Sequence, residues 1–256
     1  MPSVTYLNQK TGEADSAVMK FGVLYGIGVG PGDPELMTLK GAKALENCRH
    51  VFVPKARNEN GSIALNIAGR YLRADAGIHE LVFPMSADNA ELLRHWEEAA
   101  QSVAEVAGRG EDVCFLTLGD PFLYSTYIYL VRFLRKKLPG VETVTIPGIT
   151  AFSAAAALAE FPVGEGKERV VIIPASDDLD AIGKALADGG TIILMKVGKR
   201  LPKLLDFIEQ AGYLDSAVYV ARAGLDGQRV EADLRKLRDE KQETDYLSIL
   251  LVHTGG

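Results

Sequence analysis

From Phe21 to Leu138, short apolar runs alternate with longer amphipathic stretches. The runs at 23–27, 50–53, 78–83 and 113–118 have strand length and are rich in β-branched and aromatic residues, so they predict strands. The stretches between and after them predict helices over 34–47, 62–73, 89–107 and 124–137. In the third of these, Leu92, Leu93, Trp96, Ala99, Ala100, Val103 and Val106 recur at steps of three and four, which places them on one stripe. Strand and helix in strict alternation predict a parallel sheet covered on both faces.

Leu138-Pro139-Gly140 interrupts the last of these helices and is the best break in the chain. It divides an amino-terminal domain, 21–138, from a carboxyl-terminal one, 141–256, with residues 1–20 as a flexible tail. In the second half, strands are predicted at 141–146, 170–174, 191–195, 217–221 and 247–252. Helices are predicted at 150–160, 179–187 and 200–211. Crossovers thin out towards the end, which predicts a mixed sheet. The expected fold is α/β: two α/β domains, the first sheet parallel and the second mixed, with an active-site cleft between them.

Composition narrows the function classes. Acidic residues outnumber basic ones, 34 to 28, for a net charge of −6, and no basic stripe is present. That argues against nucleic acid as a partner. No window reaches the ~18 apolar residues of a membrane span, and the polar first 20 residues lack the apolar core of a signal peptide. A cytoplasmic protein is expected. The two cysteines, Cys48 and Cys114, sit in apolar runs and read as buried thiols. With four histidines scattered along the chain and no Cys/His cluster, no metal site is expected.

Candidate chemistry lies in three segments. The first runs GIGVGPGDP from Gly26, a glycine-rich turn between a strand and a helix start, with Asp33 as N-cap and Pro34 in the first turn. Such turns let backbone approach a ligand closely. A dinucleotide fingerprint needs a third glycine where Pro31 stands and an acidic residue where the second strand ends Val53-Pro54-Lys55. The second segment is Leu118-Gly119-Asp120-Pro121, at the carboxyl end of a buried strand, where open α/β sheets place ligands. Asp120 and Ser125 also read as plain helix caps there. In the third, Pro147-Gly148-Ile149-Thr150, small residues follow at Ala151, Ser153 and Ala154, opening the helix start to adenosine or to another helix.

In this order and spacing, the three segments resemble the tetrapyrrole methylase family, the class III methyltransferases, over nearly the whole chain after the tail. PFLYST at 121–126, ILMKVG at 193–198 and DYLSILLV at 245–252 are similar to the branch that methylates C20 of precorrin-2 or cobalt-factor II in cobalamin synthesis. The resemblance implies a homodimer that binds S-adenosylmethionine, with S-adenosylhomocysteine as product, and a tetrapyrrole substrate rich in carboxylates. It assigns cofactor contacts to Pro31, Leu118, Gly119, Asp120, Leu123, Ser125, Thr126, Thr150, Ala151, Lys196 and Ala223, with Lys196 acting mainly through its backbone. Basic candidates for the substrate carboxylates are Lys55, Arg57, Lys199, Arg200 and Arg222, beside Lys196.

The methyl of a sulfonium is already activated, so alignment of the reacting atoms is the main demand and no strong general base stands out. Asp120 and Tyr124 are the side-chain candidates for taking a proton; water is the other. Another class III methylation remains open, of uroporphyrinogen, of a different corrin carbon, or of a protein as in diphthine synthesis. A non-catalytic nucleotide-binding regulator on the same glycine loops is the reading from a different class.

Overall fold

A computed structural model describes residues 20–55, 61–83, 88–175, 178–239 and 245–255. Apart from Lys20, the expected tail lies outside them, as does Arg57.

The first half folds as β1 (Leu24–Gly28), α1 (Leu39–Asn47), β2 (His50–Lys55), α2 (Ile63–Ala68), β3 (Gly77–Val82), α3 (Asn89–Ala107), β4 (Val113–Thr117), α4 (Tyr127–Lys137) and β5 (Thr143–Ile146). The five strands form one parallel sheet in the order β3-β2-β4-β1-β5. Alternate residues along each strand feed two separate cores. Phe52 and Phe115 pack with Val103, Leu130 and Leu134 of α3 and α4. On the opposite face Val51, Val53, Cys114 and Leu116 pack with Leu45 and Ile67 of α1 and α2.

The second half is α5 (Ala151–Leu158), β6 (Val170–Pro174), α6 (Asp180–Asp188), β7 (Thr191–Met195), α7 (Leu201–Gln210), β8 (Ala217–Ala221), β9 (Arg229–Glu231), α8 (Lys236–Asp239) and β10 (Ser248–His253). Its sheet has the order β6-β7-β10-β8-β9 and is mixed: β6 and β7 are parallel, and β10 runs antiparallel to both β7 and β8. Ile193, Met195, Val220 and Leu251 face the alanines of α5, while Leu194, Tyr219 and Leu250 face α6 and α7.

Several expectations change. The strand assigned to the start of the second half is β5, which pairs with β1 and closes the edge of the first sheet. Leu138-Pro139-Gly140 does end α4, but the chain changes sheets only after Ile146. The helix expected over 34–47 is a single 3-10 turn, Pro34–Leu36, then an extended pair, then α1. Two caps explain the break: Asp33 accepts the Glu35 amide at 2.8 Å, and Thr38 Oγ1 accepts the Gly41 amide at 3.1 Å. The helix expected over 62–73 ends at Ala68 and tightens into a 3-10 turn. The helix expected from 124 starts at Tyr127, because Tyr124 is left-handed at φ 51°. In α3 the stripe is buried from Ala99 onward, whereas Leu93 is 46% exposed and Trp96 stacks on Tyr129 of α4 at 4.0 Å. Neither β9 nor α8 was expected.

Candidate functional site

The carboxyl ends of β1, β4 and β5 carry the three glycine-bearing segments, and these segments meet. Gly30 and Gly119 pair as an antiparallel bridge, the Gly119 amide donating to the Gly30 carbonyl at 2.7 Å. A Cβ on Gly148 would lie 2.1 Å from the Gly119 carbonyl oxygen and 2.8 Å from the Gly28 Cα. The glycines therefore let three loops touch one another, where the sequence suggested only room for a ligand. The same device joins the two halves: a Cβ on Gly32 would lie 2.5 Å from the Ala223 carbonyl oxygen.

The polar side chains of these segments brace the loops. Asp120 Oδ1 accepts the Phe122 amide at 2.8 Å and Oδ2 accepts the Gly148 amide at 3.1 Å. Ser125 Oγ accepts the Tyr127 amide at 3.1 Å and shares a hydrogen bond with Thr117 Oγ1 at 2.8 Å. Thr150 Oγ1 accepts the Ser153 amide, capping α5. For Asp120 and Ser125 the capping alternative describes what their oxygens do in this structure, and Thr150 proves to be a cap as well.

Between the two sheets lies a cavity of about 290 Å³. From the first half, its wall takes Pro31, Leu118, Gly119, Asp120, Leu123, Ser125 and Thr126. Thr150 and Ala151 join them, and the second half adds Lys196 and Ala223. Every residue to which the family resemblance assigned cofactor contact thus lines one cavity. Gly119, Ala151 and Ala223 leave it open; Leu123, Met195, Val220 and Ile249 make it apolar. A slender, largely apolar ligand with few polar anchors suits such a wall.

Of the basic candidates, Arg222 lines the cavity and Lys55, Lys199 and Arg200 do not. Lys55 is paired with Glu80 at 2.8 Å across β2 and β3. Arg222 is engaged as well: Nη1 reaches Asp245 Oδ2 at 2.9 Å and Nε donates to the Asp226 carbonyl.

Tyr124 also lines the cavity, but its hydroxyl donates to the Ile172 carbonyl of β6 at 3.0 Å. Burial raises its pKa above the ordinary phenol value, which disfavours the phenolate. In the other direction, Lys196 Nζ donates to the Tyr124 carbonyl at 3.2 Å and lies 5.7 Å from the centre of the Tyr246 ring. Tyr124, Lys196 and Arg222 all have positive φ, at 51°, 58° and 51°; among described non-glycine residues only Glu160 shares this. Such backbone costs about 1–3 kcal/mol per residue and concentrates at working sites.

Sequence reasoning missed Tyr246, Leu247, Ser248 and Ile249, which form part of the wall. Their run is the amino end of β10, and the antiparallel course of β10 sets that end among the carboxyl ends of β7 and β8. Met195 and Val220 follow the strand-end rule and were within reach of it.

The comparisons agree with this architecture. The family model of the Tetrapyrrole (Corrin/Porphyrin) Methylases matches residues 23–238. A cobalt-precorrin-2 C(20)-methyltransferase of Salmonella typhimurium is 33% identical over 232 residues, covering 91% of this chain and 96% of that protein. A precorrin-2 C(20)-methyltransferase of a Sinorhizobium species is 33% identical over 241 residues, covering 90% and 95%. The crystal structure of a uroporphyrin-III C-methyltransferase from Thermus thermophilus, complexed with S-adenosylhomocysteine, superposes with a TM-score of 0.60 at 21% identity, over 91% of this chain and 97% of that one.

Proposed function

This chain belongs to the tetrapyrrole (corrin/porphyrin) methylases, and from that membership we propose that it methylates C20 of precorrin-2 or cobalt-precorrin-2 in cobalamin synthesis, with S-adenosylmethionine as donor. The observation that carries this reading is the convergence of three family segments and the ends of β7, β8 and β10 on one apolar cavity. The two relatives at 33% identity differ in the metal their names give, so both substrate forms enter the assay.

In this reading, Gly119, Ala151, Ala223 and the backbone at Lys196 hold the cofactor, and Leu123 and Val220 flank it. The cofactor supplies a methyl group already activated on a sulfonium. The chain supplies position: Asp120 fixes the loop after β4 against the loop after β5, and Thr150 fixes the start of α5. Holding reacting atoms about 3–3.5 Å apart accounts for much of the rate such a site needs. Both Asp120 oxygens accept backbone amides and the Tyr124 hydroxyl is already a donor to protein, so neither is poised to remove a proton. A proton lost from the macrocycle passes to water.

The chain is further proposed to work in the cytoplasm as a homodimer. Two buried cysteines without a disulfide suit a reducing compartment. Leu93, one turn before Trp96 and its stacking partner Tyr129, offers exposed apolar area for self-association, which light scattering tests.

The decisive experiment incubates the protein with labelled S-adenosylmethionine and precorrin-2, cobalt-precorrin-2 or its oxidised form cobalt-factor II, followed by mass spectrometry and carbon NMR. One methyl at C20 is expected. Label at another carbon, or on no tetrapyrrole, overturns the proposal. Calorimetry adds a check independent of turnover: S-adenosylhomocysteine binds in the micromolar range and NAD does not.

A further inference from the structure

The cavity wall holds only three charged side chains among the described residues: Asp120, Lys196 and Arg222. Two of them are already matched. Asp120 is satisfied by the Phe122 and Gly148 amides, and Arg222 by Asp245 and the Asp226 carbonyl. Lys196 is the exception. Its ammonium donates to one neutral acceptor, the Tyr124 carbonyl, and rests near the face of Tyr246, with no carboxylate within ion-pair distance among the described residues. A positive charge in a largely apolar wall, held by a carbonyl and a ring, is set up to receive an anion.

Building on the proposed reading of this site, we propose that Lys196 is the specificity-determining residue for the tetrapyrrole, its ammonium pairing with one substrate carboxylate. Arg222 instead serves the fold by holding Asp245, and with it the start of the Tyr246–Ile249 wall. Three features of Lys196 support the assignment. It follows β7 directly, at the strand end where ligands bind. Its left-handed backbone, φ 58°, turns the chain sharply at that point. Its partner is the carbonyl of Tyr124, three residues before the helix that follows the Gly119-Asp120 loop. A carboxylate arriving there takes the place of a neutral acceptor, exchanging an ammonium–carbonyl hydrogen bond for an ion pair in which both partners are charged. Because the contact is to charge, it distinguishes a carboxylated macrocycle from its ester.

The test measures binding of precorrin-2, and of its methyl esters, to the protein saturated with S-adenosylhomocysteine, so that no turnover occurs, and KM in parallel. Lys196→Met is expected to weaken tetrapyrrole binding and raise KM about tenfold, with affinity for S-adenosylhomocysteine changed less than twofold and Lys196→Arg restoring part of the loss. The parent should lose affinity on esterification of one carboxylate, and Lys196→Met should be indifferent to that ester. Lys196→Gly, which suits the left-handed backbone, gives the same deletion should the methionine variant fail to fold. An unchanged KM overturns the inference, as does loss of tetrapyrrole and cofactor affinity by the same factor. If the parent itself binds S-adenosylhomocysteine but no tetrapyrrole, the proposed function falls and this inference with it; a parent that methylates C20 with variants at parental KM sinks the Lys196 assignment alone.

Discussion

Asp120 and Gly148, 28 positions apart, are joined by a hydrogen bond of 3.1 Å from the Gly148 amide to Asp120 Oδ2, while Oδ1 of the same carboxylate accepts the Phe122 amide. One side chain thus holds the loop after β4 against the loop after β5, at the floor of the cavity. Asparagine has a single acceptor oxygen, so Asp120→Asn leaves one of the two amides facing an NH₂ group. Leaving a part-buried donor unmatched costs about 1–3 kcal/mol. Calorimetry is expected to find S-adenosylhomocysteine bound five- to tenfold more weakly (about 1 kcal/mol), with melting lowered by only a few degrees. An unchanged dissociation constant would separate the brace from cofactor binding.

Tyr124→Phe removes the bond from the hydroxyl to the Ile172 carbonyl and keeps the carbonyl that Lys196 uses. The phenol is partly exposed, so the loss should fall near the low end of ~0.5–1.5 kcal/mol. Methyl transfer should stay within threefold of the parent. A fall in kcat of a hundredfold or more would restore Tyr124 as a base.

Two glycine-to-alanine changes should part company. At Gly148 the new Cβ would sit 2.1 Å from the Gly119 carbonyl oxygen, backbone against backbone, so the loops must separate. Cofactor binding should be lost and thermal stability should fall sharply. At Gly69, helical at φ −52°, nothing lies within 4 Å, and alanine should be neutral or stabilising by up to about 1 kcal/mol. Equal melting temperatures for the two variants would refute the close-approach account.

Stability should decline as pH falls, through a cluster far from the cavity. His79, stacked on Phe52, has its pKa lowered by burial and by His50, whose Nδ1 is 3.3 Å away; Glu111 bonds the other nitrogen of His50 at 2.9 Å. The unfolded chain protonates His79 near the ordinary value of about 6.5, before the folded chain does. Unfolded molecules therefore bind more protons in that window, and stability drops as pH falls through and below it. Glu111, whose pKa is lowered by Arg109 and His50, adds a loss of the same sign at more acidic pH. Denaturant titrations at pH 7.5, 6.0 and 5.0 should show the first decline, and His79→Gln should flatten it. A parent midpoint independent of pH over that range would contradict the assignment.

Local pattern carried much of this protein. The helix expected over 89–107 is α3, residue for residue, because Asp88 caps its start and its apolar spacing is that of one helical face. Strands β6, β7 and β8 likewise follow from short β-branched runs between turn residues. The three glycine-bearing segments were legible as a set, since each stands at a strand-to-helix turn, and the cavity gathers every residue that the family resemblance nominated for the cofactor. Pairing between distant strands was not legible. A strand's own residues state that it is buried, not which neighbour it joins, so β5 was assigned to the wrong sheet and the antiparallel course of β10, which brings Tyr246 and Ser248 to the cavity, stayed hidden. The same holds for chemistry. Asp120 and Ser125 read as caps as well as ligands, and only the placed amides of Phe122, Tyr127 and Gly148 reveal that their oxygens are occupied. Lys196, Lys199 and Arg200 were alike as charges in a row; the turn after β7 put one of them on the cavity wall and left the others off it, because backbone direction over a few residues is set by the packing of two sheets rather than by charge.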